Sequence, residues 1–146
     1  MKSPLVSLVE TLGSSLPAYL SAARVWTFPG EESLKLALVD LAEDERSVAD
    51  RAGRLLEERG HVVPRPTFPI AFTGLHDSDL GALLPRILDG LRGQVATFER
   101  LVESGGDADS IELLREARGV ALRHADVLED IGRRRSGTAD PSTASR

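Results

Sequence analysis

Three polar side chains interrupt helical stripes that are otherwise apolar. Glu45, Gln94 and His124 each lie near the middle of a stretch whose apolar residues recur at alternating intervals of four and three, the pattern of a helix face that packs against its neighbours. A buried carboxylate is costly unless it is paired or bound to a metal. Carboxylate, amide and imidazole groups can all serve as ligands of a divalent metal. The three residues therefore define a candidate polar or metal-binding layer.

Four amphipathic stretches must position that layer. The first covers residues 3–26, with Ser3 as the predicted N-cap and Pro4 at the first helical position. Pro17 lies inside this stretch, and its missing N–H predicts a kink or break around residues 14–16. The predicted core positions are Leu5, Leu8, Leu12, Ser15, Tyr19, Ala22 and Trp26.

The remaining three helices follow two turns and one long connection. The second helix is predicted from Glu31 to Arg59, after a turn at residues 27–30, with Gly60 as its C′ residue. The third follows a cap at Ser78, and the fourth runs from a cap at Asp109 to Gly132, with residues 133–146 as a disordered tail. The predicted core positions of the second helix are Leu34, Leu38, Leu41, Glu45, Val48, Ala52 and Leu55. Those of the third helix are Leu80, Leu84, Ile87, Leu91, Gln94, Phe98 and Leu101. Those of the fourth helix are Ile111 or Leu114, Ala117, Ala121, His124, Leu128 and Ile131.

Residues 61–77, here called the connecting segment, contain three prolines and cannot form a continuous helix. An extended chain of this length spans roughly 50 Å, enough to travel the full length of the second helix. Short turns elsewhere make helices one and two, and helices three and four, antiparallel hairpins. The sequence thus predicts an all-α domain over residues 1–132, in which two helical hairpins are joined by one long crossover.

Two segments carry a resemblance to the ferritin-like superfamily: residues 41–48 (LAEDERSV) and residues 121–128 (ALRHADVL). The resemblance covers roughly residues 5–131 and implies a ferritin-like four-helix bundle. Members with a di-iron centre carry Glu-x-x-His on both of these helices and one glutamate on each of the others. Glu45 and His124 match two of those ligands, but Val48 and Ala121 stand at their partner positions. Gln94 replaces the expected carboxylate of helix three, and helix one has no glutamate on its core face.

The chain also resembles uncharacterised bacterial ferritin-like proteins, through residues 68–76 of the connecting segment. These resemblances imply a ferritin-like protein without an intact di-iron site. Such a protein would be a non-catalytic binding or scaffold module. The alternative is an iron- or manganese-binding oxidoreductase or iron-handling protein with a reduced ligand set. A DNA-protecting function, like that of some ferritin relatives, is the least favoured of the three hypotheses. A homodimer is expected, with residues 68–75 as a candidate interface, and the protein partner is unknown.

Three arrangements are open for the polar layer. Glu45 and His124 could form a structural pair, a shifted register could expose one of them, or Glu45, Gln94 and His124 could hold a single divalent metal. Tyr19 is predicted to be a packed aromatic, and Trp26 and Phe28 a plug at the end of the bundle. His61 is interpreted as a solvated helix-end residue. The acidic residues that follow His76 are interpreted as a capping stretch of the third helix and not as a metal loop. No catalytic residue and no other cofactor is assigned.

Composition excludes several classes of function. The chain has 146 residues, no cysteine and a net charge of −5, which removes disulfides and thiolate chemistry and disfavours nucleic-acid binding. No apolar run approaches the ~20 residues of a membrane-spanning helix. The first residues lack the continuous apolar region of a secretory signal, so a cytoplasmic location is expected.

Overall fold

A computed structural model describes residues 3–22, 32–65, 67–75 and 80–139. These residues form five α-helices and one short 3₁₀ helix, and no strand occurs among them. The α-helices are α1 (Pro4–Gly13), α2 (Leu16–Ala22), α3 (Glu32–Glu58), α4 (Leu80–Glu103) and α5 (Ala108–Ala139), and the 3₁₀ helix covers Ile70–Leu75. The all-α prediction is confirmed for this part of the chain.

The first predicted helix is broken where Pro17 required it to be. The N–H and hydroxyl of Ser14 both donate to the carbonyl of Glu10, at 3.0 and 2.6 Å, and close α1. The hydroxyl oxygen of Ser15 then accepts a hydrogen bond from the N–H of Ala18 at 3.1 Å, which caps α2. Pro17 falls in the first turn of α2, where a missing N–H costs nothing.

The end of α3 is formed by Gly60, as predicted. Its φ of 76° lies in the left-handed region that glycine adopts without strain. The N–H of Gly60 donates to the carbonyl of Glu57 at 3.0 Å, and the N–H of His61 to that of Leu56 at 2.9 Å. This pair of bonds is a Schellman motif, which satisfies carbonyls that the helix itself leaves free.

Ion pairs show that α4 and α5 run antiparallel. Arg92 near the middle of α4 contacts Glu129 at 2.7 Å, and Glu99, further along α4, contacts Arg118 at 2.8 Å. Partner numbers on α5 therefore fall as those on α4 rise. The turn between the two helices, at residues 104–107, is short enough to make them a hairpin.

The same reasoning makes α3 and α5 antiparallel. Arg51 makes a two-point contact with Glu116, at 2.6 and 2.7 Å, and Arg59 makes one with Asp107, at 3.0 and 2.7 Å. Because both α3 and α4 oppose α5, they point in the same direction. The connecting segment returns the chain between them.

One hydrophobic core holds the five helices together, with α1, α2 and α5 packed along α3 and α4 packed along α5. Most predicted core positions are buried. Leu55, Leu101, Ile111, His124 and Ile131 are only partly buried, and Ala22 is exposed, so the assignment of Ala22 to the core is wrong.

The connecting segment packs on this core through two aromatic rings. Phe68 meets Tyr19 edge-on, with ring centroids 5.2 Å apart, and Phe72 lies at 5.5 Å from the same ring. Tyr19 is buried, which confirms it as a packed aromatic. Phe68 and Phe72 of the segment therefore form part of a wall of the domain.

The end of the last helix differs from prediction. The predicted helix end at Gly132 is wrong, because α5 continues through residues 133–139 and ends at Ala139. A Cβ atom at position 132 would lie 3.2 Å from Leu84 of α4, so this glycine allows two helices to approach closely. Arg133 and Arg134 also pair with Asp130 one turn back, which supports continuation of the helix.

The N-cap residue of α5 also differs from the predicted one. Asp107 occupies the position predicted for Asp109: its carboxylate accepts from the N–H of Ser110 at 3.1 Å and from its hydroxyl at 2.6 Å. Asp109 lies instead in the first turn. The predictions for Trp26, Phe28, His76, Ser78 and residues 140–146 fall outside the described residues.

No helix in the described part of the chain has both the length and the apolar character needed to cross a membrane.

Asp107 joins the cap of α5 to the end of α3, and this dual role is testable. Arg59 and Ser110 hold the pKa of Asp107 well below its usual range. Asp107→Asn keeps an oxygen for the Ser110 N–H but loses the charge opposite Arg59, whereas Asp107→Ala loses both. We expect the urea midpoint of unfolding to fall in the order wild type, Asp107→Asn, Asp107→Ala.

The matched control is Asp109→Asn in the same turn, whose carboxylate lies 3.8 Å from Arg59. It should move the midpoint least. An equal effect of Asp109→Asn and Asp107→Ala would show that Asp107 does not cap α5.

Candidate functional site

Glu45 is a carboxylate buried in the core of the domain. It belongs to the core stripe of α3, only 2% of its surface is exposed, and neither carboxylate oxygen has a hydrogen-bond partner. Its burial follows from the sequence, because Leu41 and Val48 lie one turn away on either side and both face the core. The predicted position of Glu45 in the core is confirmed.

Two neutral polar side chains stand beside the carboxylate. Ser15, at the break between α1 and α2, and Gln94 of α4 are both buried and both favour the charged form of Glu45. Neither reaches hydrogen-bonding geometry with it. Loss of hydration outweighs their effect and raises the pKa of Glu45 to about 7.

His124 binds a different acid from the one expected. Its Nε2 lies 2.6 Å from Oδ2 of Asp44, and its side chain is 12% exposed. The predicted pairing of Glu45 with His124 is therefore wrong. Successive residues of a helix point about 100° apart, so Asp44 turns toward α5 while Glu45 turns toward Ser15 and Gln94. The structure brings together two of the three predicted ligands, Glu45 and Gln94, and gives the third another partner.

Two further positions at which the family resemblance implies ligands, on α3 and α5, face inward but are apolar. Val48 is 2% exposed and Ala121 is 1% exposed. Both lie in the hydrophobic core, so their burial fits a ligand position while their side chains offer no donor atom. Among the described residues no group of three or more His, Asp or Glu side chains is placed to hold a metal ion.

A cleft of about 670 Å³ opens beside Glu45, between α1 and α2 on one side, α3 on another and the connecting segment on a third. We call it the Glu45 cleft. Its walls are mainly apolar, and charged side chains of α3 lie along its length. The lining residues are Val9, Leu12, Gly13, Ala18, Ala22, Ala42, Glu45, Arg46, Ala49, Asp50, Gly53, Arg54, Glu57, Val63 and Phe68.

Small residues create this space. Ala42, Ala49 and Gly53 lie on one stripe of α3 and contribute almost no side-chain volume, and Ala18 and Gly13 face them from the broken first helix. A Cβ atom at position 53 would lie 3.5 Å from Val63 across the gap. Sequence reasoning missed the cleft, although the spacing of these small residues next to Glu45 was visible in the sequence.

A smaller cleft of about 270 Å³ lies on the other side of the polar layer. Ser15 and Gln94 line it, together with Phe72 and Leu91. Glu45 lines the first cleft and its two polar neighbours line the second. The polar layer therefore separates two cavities within one domain.

The chain matches no protein-family model, and neither the curated proteins nor the solved structures contain a significant match to it.

Chemically, the site offers one carboxyl group in a low-dielectric setting that titrates near neutrality. As a neutral acid, Glu45 can donate one hydrogen bond; as a carboxylate, it can accept several. It can therefore bind a hydrogen-bond donor or a cation, or transfer a proton. Two nearby neutral amide and hydroxyl groups supply further oxygen atoms.

The raised pKa of Glu45 makes the stability of the domain depend on pH. The unfolded chain releases the proton near the ordinary value of 4.5, and the folded chain releases it near 7. The contribution of Glu45 to the free energy of unfolding therefore falls as pH rises between these values, by about 1.4 kcal/mol per pH unit or about 3 kcal/mol in total. Glu45→Gln removes this dependence.

Urea unfolding of both proteins at pH 4.5 and pH 8 measures the effect. The stability of Glu45→Gln relative to wild type should increase by about 3 kcal/mol over this range. Glu43→Gln, an exposed position on the same helix, is the control and should show a nearly constant difference. A constant difference for Glu45→Gln as well would contradict the account of the site.

Proposed function

We propose that the protein is a ferritin-like helical bundle that acts as a non-catalytic binding module without an intact di-iron centre. The helix directions support the ferritin-like arrangement. Both α3 and α4 oppose α5, α1 and α2 pack along α3, and the connecting segment joins the two parallel helices. These observations agree with two helical hairpins linked by one crossover, which is the arrangement we propose.

The composition of the inward-facing positions carries the proposal. Of the positions that the resemblance assigns to ligands, Glu45 alone presents a buried carboxylate. Val48 and Ala121 are apolar, Gln94 is a neutral amide, and His124 binds Asp44. A carboxylate-bridged iron pair needs several carboxylates to bridge and neutralise two cations, and one carboxylate does not meet that need.

The presence of the Glu45 cleft supports a function in binding a small molecule and not in iron chemistry. Its volume and mainly apolar walls are typical of small-molecule sites, which carry only a few orienting polar groups. Glu45 is such a group, and it lacks a partner within the described chain.

A single divalent metal is the alternative. The observation that favours it is the unpartnered carboxylate of Glu45 beside Gln94, since a bound cation would remove the cost of burying that charge. For His124 to join this set, its ring would have to leave Asp44. The site would then act as an iron- or manganese-binding centre with few protein ligands.

A homodimer and a cytoplasmic location remain proposals. Of the candidate interface at residues 68–75, Phe68 and Phe72 pack within the chain, whereas Ile70 is 87% exposed. Ile70 is therefore an apolar side chain of residues 68–75 that a second copy would cover. The acidic net charge agrees with a protein that does not bind nucleic acid.

Metal titration separates the two functions. Chelator-treated protein is melted with and without Fe²⁺, Mn²⁺ and Zn²⁺, and bound metal is measured after gel filtration. We expect less than a tenth of an equivalent of each metal and no rise in Tm, because a ligand that binds only the folded state would raise it.

One equivalent of bound metal, with a rise in Tm that disappears in Glu45→Ala and persists in Glu43→Ala, would contradict a non-metal binding module and establish the alternative. Loss of the same response in His124→Ala would identify the histidine as a further ligand.

A further inference from the structure

We propose that the Glu45 cleft binds a small apolar molecule that carries a protonated amine, with the ammonium group held by Glu45. This inference rests on the proposed function as a binding module and names the chemical class of its ligand.

The cleft has the dimensions and walls for the apolar part of such a molecule. Its volume of about 670 Å³ falls within the range of roughly 300–1,000 Å³ that is usual for small-molecule sites. Leu12, Ala42, Ala49 and Phe68 provide apolar surface on three sides. Phe68 packs edge-on against Tyr19, so the contact that positions this wall forms within the chain itself.

Glu45 supplies the polar end of the site. Its side chain forms part of the cleft wall, and both of its oxygens are buried without a hydrogen-bond partner. Rotation of the side chain toward the cleft would let an ammonium group donate hydrogen bonds to these oxygens. A charge-assisted contact in a dry site is stronger than one in water, and it would offset the cost of burying the carboxylate.

Other ligand classes fit less well. A carboxylate or phosphate would place a second negative charge beside Glu45, and a purely apolar molecule would leave the carboxylate unpaired. A neutral alcohol could donate one hydrogen bond but could not balance the charge. The exposed charged residues along the cleft do not favour a ligand of either charge, because Arg46 and Arg54 are balanced by Asp50 and Glu57.

Binding of an amine is coupled to the ionisation of Glu45. The ammonium group favours the carboxylate form of Glu45, so the affinity for the amine should rise with pH. The rise should level off above pH 7, where Glu45 is already ionised in the ligand-free protein. A simple alkylamine keeps its own proton over this range, because the amino group of lysine has a pKa of about 10.4. Ionisation of the amine therefore adds nothing to the pH dependence, and the part of it that Glu45→Gln removes reports Glu45.

The test uses the full chain and three probes of one shape: benzylamine, benzyl alcohol and benzoate. Binding is followed by amide chemical-shift titration at pH 5.5 and pH 8. We expect benzylamine to bind at least ten-fold more tightly than the other probes at pH 8, and at least ten-fold more tightly at pH 8 than at pH 5.5. Glu45→Gln should remove both differences, and Glu43→Gln should preserve them.

A second variant tests the cleft independently of Glu45. Ala49→Phe places a large side chain in the cleft and should prevent benzylamine binding while the helical circular dichroism is retained. Equal binding of benzylamine and benzyl alcohol, blocked by Ala49→Phe but unchanged in Glu45→Gln, would overturn the amine as ligand and leave the binding module in place. Failure of all three probes to bind would overturn the site, while the metal titration still decides between the two proposed functions.

Discussion

The hydration lost by one carboxyl group governs the chemistry of this domain. Glu45 lies in a stripe of α3 that is otherwise apolar, and its two neighbours, Ser15 and Gln94, compensate only part of the cost of its burial. A leucine at this position would pack in the core without that penalty. The rest of the fold must therefore supply enough apolar burial to hold an unsatisfied acid in place. Residues that break the local rules of a fold in this way are concentrated at functional sites.

The features around Glu45 form a connected set. Pro17 breaks the first helix, Ser15 caps the new start, and the break places a hydroxyl beside the carboxylate. Small residues on α3 leave a cleft along the same side, and the connecting segment closes it with Phe68. The ion pairs between α3 and α5 lie on another face of α3, where Asp44 engages His124. The cleft and the ion pairs with α5 thus occupy different faces of α3.

Much of this architecture could be predicted from the sequence. Four-three periodicity located the core stripes, Pro17 located the break, and Gly60 located the end of α3, because each of these depends on local chemistry. The partner of His124 could not be predicted, since one residue along α3 changes the direction of a side chain by about 100°. Gly132 was misread because a glycine suits both a helix end and a close helix contact. The cleft depends on how three segments approach one another, which no single periodic pattern encodes.

The ionisation of Glu45 in the folded protein is the quantity on which this account depends. It can be read from the side-chain carboxyl carbon of Glu45 by ¹³C NMR across a pH titration, with the signal assigned by its absence in Glu45→Gln. The account predicts a midpoint at about 7. A midpoint near 4.5, the ordinary value of a glutamate, would show that the carboxylate is solvated or paired, and would contradict the site described.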